Sequence, residues 1–306
     1  MFTLIFNQLM KMLIIMAVAF VCYRIGLINQ EGNKNFSNLL LMIINPCLII
    51  TVYQTDYDPV LVRGLLIAFA AAVVSHVIAI LISMVLIREK DNAECAVERF
   101  STVYSNCGFI GIPLISNVLG NDGVFYLTAY MTVFNILSWT HGLGLMKGHF
   151  SIRYLKEGLR SPMILCTVTG MILFFLKLRI PGVLLDSMTY IADMNTPVAM
   201  MVAGFSVAQA DLKKLVSHLR IYWICFLKLL LVPLCILLFL WIARVPSDIA
   251  YVTLIAAACP TATTTTMMSI RYNRNYTYAS EIFALTTVLS LVTIPLVTLA
   301  ADYLIR

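Results

Sequence analysis

The sequence predicts an all-α polytopic membrane protein with ten transmembrane helices in two inverted five-helix repeats. Three observations lead there. Of 306 residues, 61% are hydrophobic and 12% charged, about half the charge of a soluble domain and too little to cover a water-facing surface. The apolar residues fall into ten runs, each of roughly the length (~20 residues) that crosses a hydrocarbon core. The basic residues alternate between loops: fourteen of the 21 Lys and Arg lie in odd-numbered loops, five in even-numbered loops or at the C-terminus, and two, Lys11 and Lys228, inside runs.

The runs follow in order. Residues 4–23 end at Arg24; no basic segment precedes them, so a first span is expected rather than a cleaved signal. Residues 36–53 end before Asp56 and Asp58, and residues 61–87 before Arg88. Residues 97–119 and 123–145 are divided by Gly120, Asn121 and Asp122. Residues 162–178 stop at Arg179, 188–208 before Asp211, 221–243 at Arg244, 249–270 at Arg271, and 277–303 near the C-terminus. Lys and Arg accumulate in cytoplasmic loops. The odd loops, which include Lys90, Arg153, Lys213 and Lys214, are therefore expected inside, with both termini outside the cell membrane.

Ten spans divide into residues 1–145 and 162–306, joined by a cytoplasmic linker at 146–161. A five-span repeat must insert its second copy upside down. Pro46 and Pro197 fall in corresponding spans 2 and 7, and Pro113 and Pro260 in spans 4 and 9. Inverted repeats with interrupted helices mark transporters. In "NCGFIGIP" (106–113), Gly108 and Gly111 permit unusual backbone angles, and Pro113 removes a donor and crowds the carbonyl four residues back. An unwound segment is expected here, with Asn106 as its polar group and a new helix N-terminus after Pro113. In "AAACPTATTTTMMS" (256–269), Pro260 is expected to break the helix at Ala256, and Thr261, Thr263 and Thr264 to offer hydroxyls. Some of these hydroxyls are expected to bond a carbonyl one turn back. Helix N-termini carry positive potential and free N–H groups, so two of them meeting near mid-membrane suit a carboxylate. Cys107 and Cys259 flank the breaks. Asn45 with Pro46, and Asn195 with Pro197, place polar groups at similar depth in spans 2 and 7. They are expected to line the same cavity or to relieve a kink locally.

Three further groups lie within or at the edge of spans. Lys228 is expected to pair with a carboxylate, to occupy a cation's place, or to snorkel toward the interface. His76, near the middle of span 3, either carries a coupling proton or is a hydrogen-bonded core residue. Glu281 either accepts a proton or favours its helix N-terminus. Lys11 reads most simply as snorkelling. The eight cysteines form no CxxC and no metal-ligand spacing, so they read as packing residues, with neither metal nor cofactor expected. The net charge of +6 is spread over many short loops, which argues against nucleic acid.

At these residues the sequence resembles the auxin efflux carrier family, which includes plant PIN proteins and bacterial malate and malonate permeases. The resemblance covers most of the chain: "RIGLINQEGNKNFSNLLLMIINPCLII" (24–50), "NCGFIGIPL" (106–114), "NTPVAMMVAGFSVAQAD" (195–211), "LKLLLVPL" (227–234) and "LIAAACPTATTTTMMSIRYN" (254–273). It implies a bile-acid symporter or sodium–proton antiporter-like fold. In that fold spans 4 and 9 cross at the substrate, within an elevator-type bundle that moves against a scaffold of spans 1, 2, 6 and 7, often in a homodimer. The short loop after span 5 points to a compact, bacterial-type member. The expected function is secondary transport of a small organic anion such as malate, malonate or an auxin-like carboxylate, coupled to a proton, to sodium or to neither. The alternative is a membrane sensor that binds such an anion without moving it. No HExxH, DDxxD-like run, GxSxG or GxxxxGK[ST] is present, which argues against an intramembrane enzyme or a primary pump.

Overall fold

The computed structural model describes residues 2–88, 94–151, 156, 159–209 and 219–305. Lys90, Arg153, Lys213 and Lys214 of the basic loops, and part of the linker, lie outside the described residues. Among the described residues the structure is helical, apart from one isolated antiparallel bridge between Ser105 and Thr261.

The helices follow the predicted runs. The first is α1 (Phe2–Arg24). The second is a continuous rod of α2 (Gln30–Leu39), a π-helical turn (Leu40–Ile44) and α3 (Asn45–Val52). It starts before the predicted 36 because the Asn29 side chain accepts from Gly32 N at 2.8 Å, capping a polar first turn. The third is α4 (Pro59–Leu86), capped by Asp58 with Pro59 in its first turn. The fourth is interrupted: α5 (Cys95–Val103), non-helical residues 104–106, then a π turn (Cys107–Gly111) that runs into α6 (Ile112–Leu137). Gly120, with φ +66° and ψ −158°, kinks α6 and separates the fourth run from the fifth. A further π turn (Ser138–Gly142) and α7 (Leu143–Lys147) complete the fifth.

In the second half, α8 (Pro162–Phe175) is capped by Ser161. The seventh run is α9 (Gly182–Asp193) and α10 (Asn195–Gln209), which meet at a turn at Met194. It begins before the predicted 188, because a single Asp186 does not end a helix. The eighth is α11 (Leu219–Phe226), a π turn (Leu227–Leu231) and α12 (Val232–Ile242). The ninth is interrupted: α13 (Ser247–Ala258), non-helical residues 259–263, then α14 (Thr264–Arg271). The tenth is α15 (Tyr276–Leu304). Among the described residues, six helical rods are long and apolar enough to cross a membrane: Thr3–Arg24, Gln30–Val52, Pro59–Leu86, Gly182–Gln209, Leu219–Ile242 and Tyr276–Leu304. Pro162–Phe175 and Ser247–Ala258 are shorter apolar helices.

Three of the π turns end one or two residues before a proline, at Pro46, Pro113 and Pro233. A proline has no N–H to give and its ring crowds the carbonyl four residues back. Widening the preceding turn moves that carbonyl aside without breaking the helix. The sequence reading therefore placed the fourth-run break too late. Gly108, Gly111 and Pro113 lie within the π turn and the start of α6, and the backbone leaves helical geometry at Tyr104–Asn106. The second half-helix starts at Cys107, before Pro113 rather than after it. In the ninth run the helix reaches Ala258 rather than ending at Ala256.

The helices pack in two groups. In one, α1 lies along α10, and α3 packs against α8 and α9. In the other, α4 packs on α6 and α13, and α13 also packs on α6, α12 and α15. The groups meet where α1 and α10 touch α15 and α6. Small residues set the closest approaches, as in membrane helix pairs. A Cβ on Gly204 of α10 would lie 2.4 Å from the Met16 carbonyl oxygen of α1 and 2.8 Å from Ala19 Cβ. Gly204→Val must force α1 and α10 apart, at a cost of about 1–3 kcal/mol. The expected result is a lower melting temperature of the detergent-purified protein, while an unchanged melting curve would show that the helix pair yields freely.

Candidate functional site

Two interrupted helices cross at their breaks. Ser105 and Thr261 face each other in an antiparallel bridge. Asn106 N donates to Pro260 O at 2.7 Å, and Ala262 N donates to Tyr104 O at 2.9 Å. Backbone released from a helix in an apolar interior needs partners, and each break supplies the other's. The Asn106 carbonyl also accepts from Ile110 N at 3.0 Å and Gly111 N at 3.3 Å, the shared acceptor that begins the π turn. Gly111 makes the crossing tight: a Cβ there would lie 3.3 Å from Cys107 Cβ and 3.4 Å from Cys259 Sγ.

Four helix ends meet around this bridge. The C-terminal ends of α5 and α13 carry partial negative charge, and the N-terminal ends of the Cys107 π turn and of α14 carry partial positive charge. Lys228 sits among them and is only 1% exposed. Its Nζ donates to Ser105 Oγ at 2.7 Å and to the Ala257 carbonyl at 3.3 Å. Ser105 Oγ in turn donates to the same carbonyl at 3.2 Å. Of the expectations for Lys228, snorkelling is excluded by this burial. Neither partner is a carboxylate, so the pairing expectation is corrected as well. The ammonium instead answers the two C-terminal helix ends and ties both breaks together. Ser105, which the sequence reading passed over, is the residue that makes this possible. Its only sequence signal is a hydroxyl directly before Asn106.

The remaining predicted residues divide by what occupies them. Asn106 is 4% exposed, and its Nδ2 has no partner. Asn195 Nδ2 donates to Asn45 Oδ1 at 2.7 Å, joining α10 to α3. This leaves Asn45 Nδ2 and Asn195 Oδ1 buried without partners. Pro46 and Pro197 lie in the first turns of α3 and α10 beside this pair. Thr261 is already committed, since its Oγ1 donates to Ser101 O at 3.1 Å and its N donates to Thr286 Oγ1 at 3.2 Å. Thr263 holds the N-cap position of α14 without a side-chain capping bond, Thr264 opens the helix with an unpartnered Oγ1, and Thr265 in the next position also has an unpartnered Oγ1. Cys107 and Cys259 are buried at the crossing as free thiols. Gly108 faces Met131 Cε, 3.9 Å from where a Cβ would lie.

His76 is buried on α4, with Nδ1 2.8 Å from the Ala72 carbonyl and its ring 4.7 Å from that of Tyr130. Its Nε2 has no partner. Glu281 is buried in the second turn of α15, where a carboxylate also suits the helix N-terminal end. A different acid is more deeply engaged: Glu98, fully buried, takes two bonds from Arg220 at 2.5 and 3.0 Å and one from Tyr278 Oη at 2.8 Å. This ties α5, α11 and α15 together at the end of the bundle away from the break.

A cavity of about 410 Å³ opens beside the crossing. Ile112 of α6, Leu48 of α3 and Asn195 of α10 are among its lining residues. Gln8 and Lys11 of α1, Ser116 and Asn117 of α6, and Asp193 and Thr196 complete its polar wall. It lies between the two packing groups. Asn195 alone joins it to the predicted site residues.

Comparison with known proteins agrees with this architecture. The model of a family described as membrane transport protein matches residues 4–150 and 149–298. An uncharacterized transporter of Methanothermobacter thermautotrophicus is 23% identical over 303 residues, covering 95% of this chain and 96% of that protein. An uncharacterized transporter of Methanocaldococcus jannaschii is 22% identical over 216 residues, covering 66% of this chain and 68% of that protein. An all-helical chain with long apolar rods, two helices interrupted at one crossing, and this family match along nearly its whole length belongs to the membrane transport protein family of the auxin efflux carriers.

Proposed function

We propose that this protein is a secondary carrier of a small organic anion, such as malate, malonate or an auxin-like carboxylate, bound at the crossing of the interrupted helices. One observation carries the reading. The buried polar atoms left without partners around the crossing are weighted toward donors: Asn106 Nδ2, Asn45 Nδ2 and the Ser101, Thr264 and Thr265 hydroxyls, against one acceptor-only atom, Asn195 Oδ1. Buried polar groups are normally satisfied, so unspent donors beside two positive helix ends and an ammonium suit a carboxylate. In this reading Asn106 and the start of α14 hold the anion, and Lys228 keeps the opposite helix ends neutral.

The same reading arranges the ten runs as ten spans in two inverted halves, residues 1–145 and 162–306, with both termini outside the cell membrane. The bonded asparagines Asn45 and Asn195, 150 residues apart, and the bridge between Ser105 and Thr261 support corresponding positions in the halves. The group of α1, α2, α3, α8, α9 and α10 serves as a scaffold and, in a homodimer, as the fixed part. The group containing the crossing moves against it in an elevator motion. The cavity between the groups is the route by which substrate reaches the crossing.

Uptake of radiolabelled malate and malonate into proteoliposomes, with and without a proton or sodium gradient, tests the reading. Accumulation is expected, and a dependence on either gradient would name the coupling ion. Tight binding by folded protein without uptake would favour a sensor. Asn106→Ala removes a donor to a charged ligand, worth about 1.5–3 kcal/mol. It should weaken substrate affinity at least tenfold in the uptake assay while membrane insertion is kept; equal affinity would remove Asn106 from the site. Lys228→Met takes the donor from Ser105 Oγ, leaves the Ala257 carbonyl to Ser105 alone and leaves two helix C-termini unanswered, at about 1–3 kcal/mol. The melting temperature in detergent should fall, and an unaltered value would show that the ammonium does not tie the breaks together.

A further inference from the structure

We propose that the cavity between α1, α6 and the α9–α10 junction is a selectivity site for carboxylates that carry a hydrogen-bond donor on the carbon chain, a hydroxyl or an ammonium. The inference rests on the organic-anion reading and narrows its substrate class.

Lys11 follows Asn7 and Gln8 and precedes the apolar run from Met12 in α1, and a charge within a span is costly and commonly functional. It lines the cavity, and so does Asp193, the last residue of α9. Both side chains are exposed there, and neither makes an ion pair or a hydrogen bond among the described residues. An unspent cation and an unspent anion thus border one space of about 410 Å³, within the size range of small-molecule sites.

The neighbouring polar groups give the space direction. Asn195 is 3% exposed, and its Oδ1, which can only accept, has no partner. Its Nδ2 is fixed on Asn45, so the amide cannot turn that oxygen away without losing a 2.7 Å bond. Gln8 is 6% exposed and one turn before Lys11 on α1. The wall therefore offers a cation, Lys11, for a carboxylate and an accessible acceptor, Asp193, for a donor on the same ligand, while Asn195 Oδ1 is a buried acceptor. An unsubstituted diacid meets Lys11 but leaves Asp193 unmatched, and a second carboxylate near Asp193 is repelled. Malate and aspartate meet both needs. Succinate, which is malate without its hydroxyl, does not.

Uptake kinetics of malate, aspartate and succinate by the full chain in proteoliposomes test this. Wild type should prefer malate or aspartate over succinate about tenfold or more, the range of one hydrogen bond to a charged group. Lys11→Gln should raise KM for every carboxylate about tenfold, and Lys11→Arg should restore most of it. Asp193→Ala should draw the preference over succinate toward one. Because both side chains are exposed, neither change removes core packing, and size-exclusion elution should match wild type. Equal handling of malate, aspartate and succinate by wild type overturns the inference, as does a preference that survives both Lys11→Gln and Asp193→Ala. In either case, uptake that Asn106→Ala still weakens leaves the crossing reading standing. Absence of uptake or binding of any carboxylate by folded wild type overturns both.

Discussion

Everything at the centre of this protein depends on two broken helices completing each other's backbone. A break in an apolar interior exposes N–H and C=O groups that lipid cannot satisfy. Here the bonds from Asn106 N to Pro260 O and from Ala262 N to Tyr104 O close that deficit reciprocally. Neither break is stable alone in such surroundings. The crossing is therefore a single cooperative object, and the helices that pack around it are held to its geometry.

The bridge creates an electrostatic problem and Lys228 resolves half of it. Two helix C-termini and two N-termini point at one place, each with about half a charge. The ammonium, bonded to Ser105 and the Ala257 carbonyl, answers the C-termini from α5 and α13. No acidic side chain among the described residues lies in the breaks to answer the N-termini: residues 104–111 and 259–266 contain none. In the function proposed above, the anion answers these positive ends. Glu98, the buried acid nearest in sequence, is spent on Arg220 and Tyr278 instead. It fastens the bundle at a distance from the bridge.

The two packing groups meet where α1 and α10 touch α15 and α6. Their contact surface contains the polar-walled cavity and the Asn45–Asn195 pair on one side, and the crossing on the other. Lys11 and Asp193, exposed where they line that cavity, stand without an ion pair or hydrogen bond among the described residues. Residues inside the group that contains the crossing, such as His76 against Tyr130, are packed and bonded to their own helix.

The sequence by itself determined the membrane class, the ten helical runs and the existence of two interruptions. Hydropathy and proline or glycine content act locally, within one helix, and need no knowledge of neighbours. It also marked Asn106, Pro113, Asn195 and Pro260 for the same reason. It misplaced the fourth-run break, because a π turn absorbed Pro113 and the actual break was fixed by hydrogen bonds to a segment about 150 residues away. It left Lys228 open between three roles, and it missed Ser105, Asp193 and the cavity over Lys11. Thr261 looked like a ligand donor until its bonds to Ser101 and Thr286 were seen. What a polar group does inside a membrane protein depends on which groups face it across helices, and only the tertiary structure decides that.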